Sequence, residues 1–202
     1  MNRGVAVLVG AVLLAGCGSE EQIEVTPEGV IGEGMQAEEA PAEDGTVTAQ
    51  AYCDDVTTWN STWASFESQV LTLVNQRRAA GATCGGVYKA PAPALTLDSR
   101  LRCAARKHSK DMALNNFFSH TGSNGSTPWQ RITSAGYPYR AGWENIAAGQ
   151  TSPSGVVTSW MNSSGHCNNI MNPTLKHLGV GYYYRASGSS YPHYWTQSFG
   201  TP

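Results

Sequence analysis

Three side chains that could bind a metal or move a proton stand out from their surroundings. His120, Glu144 and His166 each lie beside glycine or large apolar residues, where a fold can bring them into one cleft. Two imidazoles and one carboxylate are ligands that zinc or another divalent cation accepts, and three protein ligands leave one position open for water. Since no two of them have the helical spacing of a His-Glu-x-x-His motif, the tertiary fold must bring them together.

Helices are predicted around these segments from apolar spacing and capping residues. The first has its apolar positions over 66–74, with Ser65 as its cap and Gly81 as its stop. Asp98 caps the second, and His108 lies on the inner apolar stripe of that helix, where we expect it to pack in the core.

Two further helices each begin with a proline in the first turn, at Pro128 and Pro153, and a further turn is predicted at 166–171. Strands are predicted where polar and apolar residues alternate, over 143–147, 178–184 and 194–199. Helices that precede an antiparallel hairpin, with helical segments between the strands, predict an α+β layered domain.

The first residues of the chain predict export. An apolar run from Val5 to Ala15 follows one positive charge, is too short to span a bilayer and ends just before Cys17. This ending resembles the lipobox of bacterial lipoproteins, whose cysteine is acylated and anchors the mature chain to the membrane. We therefore expect a signal peptide over residues 1–16 and lipidation of Cys17, with an ordinary signal peptide cut nearby as the alternative.

Charge divides the rest of the chain. Eleven of the fifteen acidic residues lie between Gly18 and Asp55, and twelve of the thirteen basic residues follow them. Because the acidic stretch has too few large apolar residues to offset its ordering entropy, we expect a disordered tether over residues 17–55 and one domain over 56–202. Five bases around the second helix are expected to be solvated or to attract anionic envelope polymers: Arg100, Arg102, Arg106, Lys107 and Lys110. Nucleic acid is not an expected partner, since no recognition motif accompanies this charge.

Four cysteines follow Cys17, and their even number in an exported domain predicts two disulfides. They are Cys53, Cys84, Cys103 and Cys167. Three pairings are open from the residues alone. A zinc cluster is the alternative, although no two of these cysteines form a Cys-x-x-Cys pair.

Several blocks of residues, in a fixed order, resemble a known family. The blocks are Ala-Ala-Arg-Lys-His-Ser-Lys-Asp-Met (104–112), Phe-Ser-His (118–120), Ala-Gly-Tyr (135–137), Trp-Glu-Asn-Ile-Ala-Ala-Gly (143–149), Trp-Met-Asn-Ser-Ser-Gly-His-Cys-Asn-Asn-Ile-Met-Asn-Pro (160–173), Leu-Gly-Val-Gly-Tyr (178–182) and Tyr-Trp-Thr-Gln-Ser-Phe-Gly (194–200). Their order is similar to that of bacterial members of the CAP superfamily, the cysteine-rich secretory, antigen 5 and pathogenesis-related proteins. The resemblance covers about residues 65–200.

The resemblance implies an α-β-α sandwich of the CAP type, with a small antiparallel sheet between helical layers. It also implies a cleft with two histidines and two acids, reported to bind divalent metal in some members. By position, His120 and His166 match the two histidines and Glu144 the first acid. Ser163 stands where the second acid would fall, and Trp143 replaces the usual glycine before Glu144, which we expect to narrow the cleft.

For the cysteines, the resemblance implies a disulfide between Cys84 and Cys167, which leaves Cys53 to pair with Cys103. The first of these would hold the loop that carries His166. The two remaining histidines are expected at surface or strand positions rather than as ligands: His177 and His193.

The first functional interpretation is an envelope-anchored domain that presents this cleft to a small ligand, envelope polymer, lipid or protein outside the cytoplasm. No serine elbow and no unpaired cysteine nucleophile accompany it. The second is a peptidase-like hydrolase, in which His120 and His166 hold zinc or a polarised water and Glu144 is a ligand or general base. The third is a structural spacer with a vestigial cleft. Gly18 after Cys17 favours the outer membrane or cell surface over the inner membrane.

Overall fold

The computed structural model describes residues 48–202. The predicted signal peptide, the lipidation site Cys17 and most of the predicted tether lie outside the described residues. No helix within 48–202 is long and apolar enough to cross a membrane.

Helices and strands alternate along the described chain. The helices are α1 (Ala49–Cys53), α2 (Ser61–Ala80), α3 (Ser99–Asn115), α4 (Pro128–Ser134), α5 (Pro153–Asn162) and α6 (Ser164–Met171), with a 3-10 turn at Asp54–Val56. The strands are β1 (Ala82–Cys84), β2 (Val87–Lys89), β3 (Thr96–Leu97), β4 (Ala141–Ala148), β5 (His177–Tyr184) and β6 (His193–Thr201).

Four of the strands form the central sheet, in the order β3-β5-β6-β4. β6 pairs antiparallel with both β5 and β4, and the short β3 pairs parallel with β5. β1 and β2 form a separate antiparallel hairpin. Because β4 is an edge strand, its side chains can be reached by the loops and helices that fold over that edge.

Helices cover both faces of the sheet, which gives the α-β-α sandwich of the CAP type. On one face, α3 packs so closely on β5 that a methyl group at Gly179 would collide with the backbone of Leu101 and Arg102. On the other face, α2, α5 and α6 enclose the main apolar core, with residues such as Val74, Trp160 and Trp195 almost completely buried. The predicted fold class is therefore confirmed.

The two disulfides have the pairing that the resemblance implied. Cys53 is bonded to Cys103 and joins α1 to α3, whereas Cys84 is bonded to Cys167 and joins β1 to α6. Residues 49–55, which were predicted to belong to the tether, are helical and are bonded to the domain through Cys53. The folded domain therefore begins upstream of residue 56.

The predicted starts of three helices, α3, α4 and α5, are confirmed. Asp98 accepts hydrogen bonds from the first backbone N–H groups of α3, and Pro128 and Pro153 are the first residues of α4 and α5. The prediction for α2 was wrong at its start, because the side chain of Asn60, five residues before Ser65, caps the helix. The turn predicted at 166–171 is a full helix, α6.

The expectation of five solvated bases on α3 also needs correction. Arg106 is buried, and its guanidinium donates to both carboxylate oxygens of Glu67 on α2, at distances of 2.6–3.0 Å. Lys107 and Lys110 both reach the carboxylate of Asp55, at 2.8 Å. Most of this charge therefore fixes α3 to neighbouring elements of the domain.

Candidate functional site

The site is centred on the carboxylate of Glu144, in the middle of β4. Glu144 is paired with Ser198 of β6, and its side chain is 4% exposed on the face of the sheet that α3 covers. Ionised carboxylates are rarely buried without partners, because the loss of hydration is not otherwise compensated. The partners of Glu144 therefore determine the chemistry of the site.

His120 is the first partner. Its Nδ1 lies 2.8 Å from Oε1 of Glu144, and its side chain keeps 37% of its surface exposed. It belongs to the loop between α3 and α4, and that loop is fixed because Nη2 of Arg131 donates to the His120 carbonyl at 2.8 Å. His120 therefore connects the buried carboxylate to the surface.

Arg131 is the second partner. Its Nη2 donates to Oε1 and Oε2 of Glu144, at 3.1 and 2.8 Å, and both side chains are 4% exposed. The guanidinium is delivered by the short helix α4, whose start is fixed by a capping box between Thr127 and Gln130. Arg131 also donates to the Ser126 carbonyl at 2.8 Å, so its position is set by three separate acceptor groups.

His108 lies behind these groups on α3. Its Nε2 is 2.9 Å from the Ser119 carbonyl and 3.8 Å from Oε1 of Glu144, and the side chain is completely buried. Because a carbonyl only accepts, Nε2 must carry the proton of this imidazole. Burial lowers the pKa of His108 to about 4, so the ring is neutral near pH 7. The predicted packing role of His108 agrees with its burial.

The charge state of Glu144 follows from its neighbours. Burial raises the pKa of this carboxyl, but His108, His120 and Arg131 together lower it by more, and it falls to about 2. The ionised carboxylate can only accept hydrogen bonds, so Nδ1 of His120 must be the donor. In the neutral ring, Nε2 of His120 then carries a lone pair on the side away from Glu144.

His166 is held by a different set of contacts. It lies on α6, and its backbone carbonyl accepts a hydrogen bond from the Asn145 amide at 3.2 Å. Asn145 follows Glu144 on β4, so the two side chains leave the strand on opposite faces. Asn145 also contacts Gln197 at 3.0 Å and Asn169 at 2.9 Å, which makes a polar network on the α6 face.

A direct contact joins two of the three predicted metal ligands, His120 and Glu144. Between residues 48 and 202, no group of three or more His, Cys, Asp or Glu side chains is arranged to hold a metal ion. A site made by His120, Glu144 and His166 stays a prediction. Oε1 of Glu144 accepts from His120 and Arg131 and Oε2 accepts from Arg131, so three of the about four acceptor positions of this carboxylate are already occupied. As arranged, the carboxylate fits a metal poorly.

Trp143 and Ser163 were also predicted to border the site. The side chain of Trp143 leaves β4 on the face opposite to Glu144 and packs against the main core, so it does not narrow the surroundings of His120. Ser163, at the position of the missing second acid, separates α5 from α6. His177 and His193 begin β5 and β6, and each contacts a tyrosine hydroxyl, at 2.8 and 2.7 Å.

Sequence reasoning missed Arg131, and it missed that His108 borders the site. Arg131 stands among the residues of α4 without any local pattern that marks it. A usable signal was the small number of acids: only four lie in the chain from residue 56 onward, and each acid that is buried needs a basic partner.

An exposed aromatic pair continues the surface beside the His120 loop. Phe118 and Tyr191 are 46% and 45% exposed, and their ring centroids lie 6.5 Å apart in an edge-to-face arrangement. Exposed aromatic side chains are enriched where proteins bind partners, because they combine a large apolar area with low conformational entropy. They make this surface suitable for a ligand with apolar faces.

Two curated relatives from Bacillus subtilis match the chain in sequence. The uncharacterized protein YkwD is 37% identical over 166 residues, which are 80% of this chain and 59% of YkwD. The uncharacterized membrane protein YlbC is 31% identical over 123 residues, which are 61% of this chain and 33% of YlbC. The chain therefore spans less than two thirds of the length of either relative.

Solved structures match the fold. An extracellular protein containing an SCP domain, from Bacillus anthracis, has 26% sequence identity and a TM-score of 0.58, over 72% of this chain and 45% of that one. An outer surface protein from Borrelia burgdorferi has 20% identity and a TM-score of 0.53, over 66% of this chain and 92% of that one, and this likeness concerns the fold alone.

A family model describes the same region. The model of the cysteine-rich secretory protein family, CAP, matches residues 71–199, the larger part of the chain. This range contains His120, Arg131 and Glu144, together with the strands of the central sheet up to residue 199 in β6. The protein belongs to the cysteine-rich secretory protein family.

Proposed function

We propose that this protein is an envelope-anchored CAP domain that acts by binding a ligand outside the cytoplasm, at the surface around His120. The observation that supports it is the 2.8 Å contact between Nδ1 of His120 and the buried carboxylate of Glu144. The carboxylate fixes the ring orientation and its tautomer, which leaves Nε2 as a preorganised acceptor. A ligand that donates a hydroxyl or amide hydrogen matches it.

The position of Arg131 defines what this site can do. Because the guanidinium neutralises Glu144, the site offers an imidazole acceptor rather than a free negative charge. The exposed rings of Phe118 and Tyr191 add apolar surface beside the same loop. The preferred ligand is therefore an uncharged or weakly polar molecule with hydrogen-bond donors, of the kind that envelope glycans, lipids and proteins all present.

Divalent metal binding stays a prediction. Metal-bound histidines commonly donate their other ring nitrogen to a carboxylate, and the pair of His120 and Glu144 has this arrangement. A zinc or other divalent ion would then be held by the imidazoles of His120 and His166, with Glu144 behind His120 instead of in contact with the ion. Such an ion would supply a Lewis acid for polarising a bound group.

A metal-dependent or metal-independent hydrolase is the second candidate. The contact between His120 and Glu144 is of the kind that orients a general base, because the carboxylate accepts from Nδ1 and leaves Nε2 as the acceptor. Hydrolysis assays on the wild-type protein and on Glu144→Gln test it. Activity that disappears in the folded variant supports the enzyme; equal or absent activity in both proteins supports binding.

The anchor and location are proposed from the first residues of the chain. Cys17, after the apolar run, is the proposed lipidation site, and the acidic segment that follows would hold the domain away from the membrane. Outer-membrane or cell-surface placement is part of this proposal. Fractionation of cells that express Cys17→Ser tests it: release of the processed protein from the membrane is expected, and equal membrane association contradicts lipidation.

Binding itself is tested by NMR of the imidazole nitrogens in the full-length protein. Lipid, glycan and protein fractions of the cell envelope, and separately zinc, are titrated while the signals of His120 and His177 are followed. One addition is expected to move the His120 signals and leave those of His177 in place, since His177 contacts Tyr137 away from Glu144. If no addition moves the His120 signals, the spacer interpretation is preferred.

A further inference from the structure

A second candidate site lies away from His120, between α1 and the first turns of α3. The cavity has a volume of about 440 Å³, within the size range of small-molecule sites. Part of its wall is fixed, because the disulfide between Cys53 and Cys103 holds α1 against α3. Its lining combines arginines with small polar side chains, among them Gln50, Thr57, Ser99, Arg100, Arg102 and Arg106.

Two of the three arginines are already paired. Arg100 donates to the carboxylate of Asp98, with Nη2 2.7 Å from Oδ2. Arg106 is bound to Glu67, with Nη2 2.6 Å from Oε2, and both of these side chains are buried. Their guanidinium groups have fixed positions, but their charges are largely compensated.

Arg102 is different. It is half-buried, and none of the residues 48–202 provides a hydrogen-bond acceptor or an ion-pair partner for its guanidinium. Burial lowers the pKa of Arg102, and the neighbouring Arg106, one helical turn away, lowers it further, while the carboxylate of Glu67 acts in the opposite direction and is outweighed. The side chain is therefore a partly desolvated positive charge that faces a cavity.

Five of the six acidic side chains in residues 48–202 have other partners, and the sixth, Asp54, is exposed and forms no ion pair with Arg102. Asp55 pairs with Lys107 and Lys110, Asp111 accepts from Ser123, and Glu144 pairs with Arg131. Together with the pairs of Asp98 and Glu67, these contacts leave Arg102 without a direct ion-pair partner in the described part of the chain, and the carboxylate of Glu67, which is bound to Arg106, offsets its charge only in part. An anion in the cavity would supply a direct partner.

We propose that this cavity binds a phosphate group, carried by a small phosphate ester. The planar guanidinium of Arg102 offers two parallel N–H donors to phosphate oxygens, and the Ser99 hydroxyl and the Gln50 amide line the same cavity as further donors. The site is independent of the proposed function at His120, since the two share no residue. A soluble ester and the headgroup of an anionic lipid present the same chemistry to it.

The test is isothermal titration calorimetry of the purified full-length protein with glycerol 3-phosphate and, separately, with inorganic phosphate. Arg102→Gln removes the proposed contact, and Arg77→Gln is the matched control, because Arg77 is an exposed arginine on α2 outside the cavity lining. Arg102→Gln is expected to weaken binding at least about tenfold, the loss of one charge-assisted contact. Arg77→Gln is expected to bind as the wild type does.

The Arg102→Gln variant is expected to stay folded, so a loss of binding would not result from unfolding. Arg102 donates no hydrogen bond within 48–202, so Arg102→Gln is expected to unfold at the wild-type temperature. Arg102→Lys gives a second check, since it keeps the charge, loses the paired donors and is expected to bind with intermediate affinity. Equal weakening by the Arg102 and Arg77 variants, or no binding of either phosphate to the wild type, would overturn the proposal.

The source of the phosphate is distinguished by a second arm. Vesicles of phosphatidylcholine, with and without phosphatidylglycerol, are compared with the soluble ester for binding that depends on Arg102. If binding of the soluble ester requires Arg102, the phosphate belongs to a free ester or a polymer group. If only binding to the phosphatidylglycerol vesicles requires Arg102, the phosphate belongs to a lipid headgroup.

Discussion

Nη2 of Arg131 lies 2.8 Å from Oε2 of Glu144, and each of the two side chains is only 4% exposed. This ion pair joins α4 to the edge strand β4, and it lies directly beneath His120. The two charges depend on each other, because removing one partner leaves the other buried without compensation. It therefore links the stability of the domain to the orientation of the candidate site.

Glu144→Gln is expected to destabilise the protein by about 3–5 kcal/mol, since Arg131 would remain buried without its counter-ion. Urea denaturation measures the change. Asp54→Asn removes the same charge at an exposed position and is expected to stay within about 0.5 kcal/mol of the wild type. If Glu144→Gln lowers the free energy of unfolding by less than about 1 kcal/mol, the ion pair of Glu144 and Arg131 is not desolvated.

The burial of His108 predicts a dependence of stability on pH. Its pKa falls from 6.5 to about 4 in the folded protein, so the unfolded chain takes up the proton first as the pH decreases. This contribution is complete above pH 6.5 and is lost as the pH falls toward about 4. His108→Gln, which keeps an N–H donor for Ser119, is expected to flatten the stability profile in this window. A slope identical to that of the wild type would contradict the burial of a neutral imidazole.

Because β5 and α3 are in close contact, we expect a single methyl group added between them to lower the stability of the domain. Gly179→Ala places that group against the backbone of Leu101 and Arg102, so the helix must move, at a cost of about 1–3 kcal/mol or more. Thermal unfolding measures it. Gly155→Ala, in α5, meets only the Ser152 hydroxyl at 3.1 Å and is expected to change stability by less than about 1 kcal/mol. Equal effects of the two variants would argue against the close packing.

The disulfide between Cys84 and Cys167 closes a long loop, since the two residues are 83 positions apart in the sequence. Replacing both cysteines by serine is expected to cost about 2–5 kcal/mol, because the unfolded chain gains freedom. Denaturation of the double variant in parallel with the wild type gives the difference. Unchanged denaturation midpoints would mean that the bond contributes little to stability.

Much of the fold could be predicted because its signals are local. Asp98 marks the start of α3, and the alternation in residues 178–184 marks β5. Short elements such as α1 and the hairpin of β1 and β2 were missed, since disulfides and packing hold them rather than their own sequence. The burial of Arg106 was missed for a similar reason, because its partner Glu67 lies 39 positions earlier, on α2.

The candidate site was predictable only in part. The order of the sequence blocks predicted that His120 and Glu144 share one cleft, and the two side chains are in contact at 2.8 Å. The contact between Arg131 and Glu144 could not be read from spacing, because it depends on how α4 folds over the edge of the sheet. The same pairing changes the interpretation of Glu144, from a free ligand to a neutralised carboxylate that orients His120.

The most direct test of this account is the tautomer of His120, measured by long-range nitrogen–proton NMR of the imidazole near pH 7. We expect a proton on Nδ1 and a lone pair on Nε2 in the wild type, because ionised Glu144 only accepts, and loss of this preference in Glu144→Gln. A proton on Nε2 in the neutral ring of the wild type would contradict it.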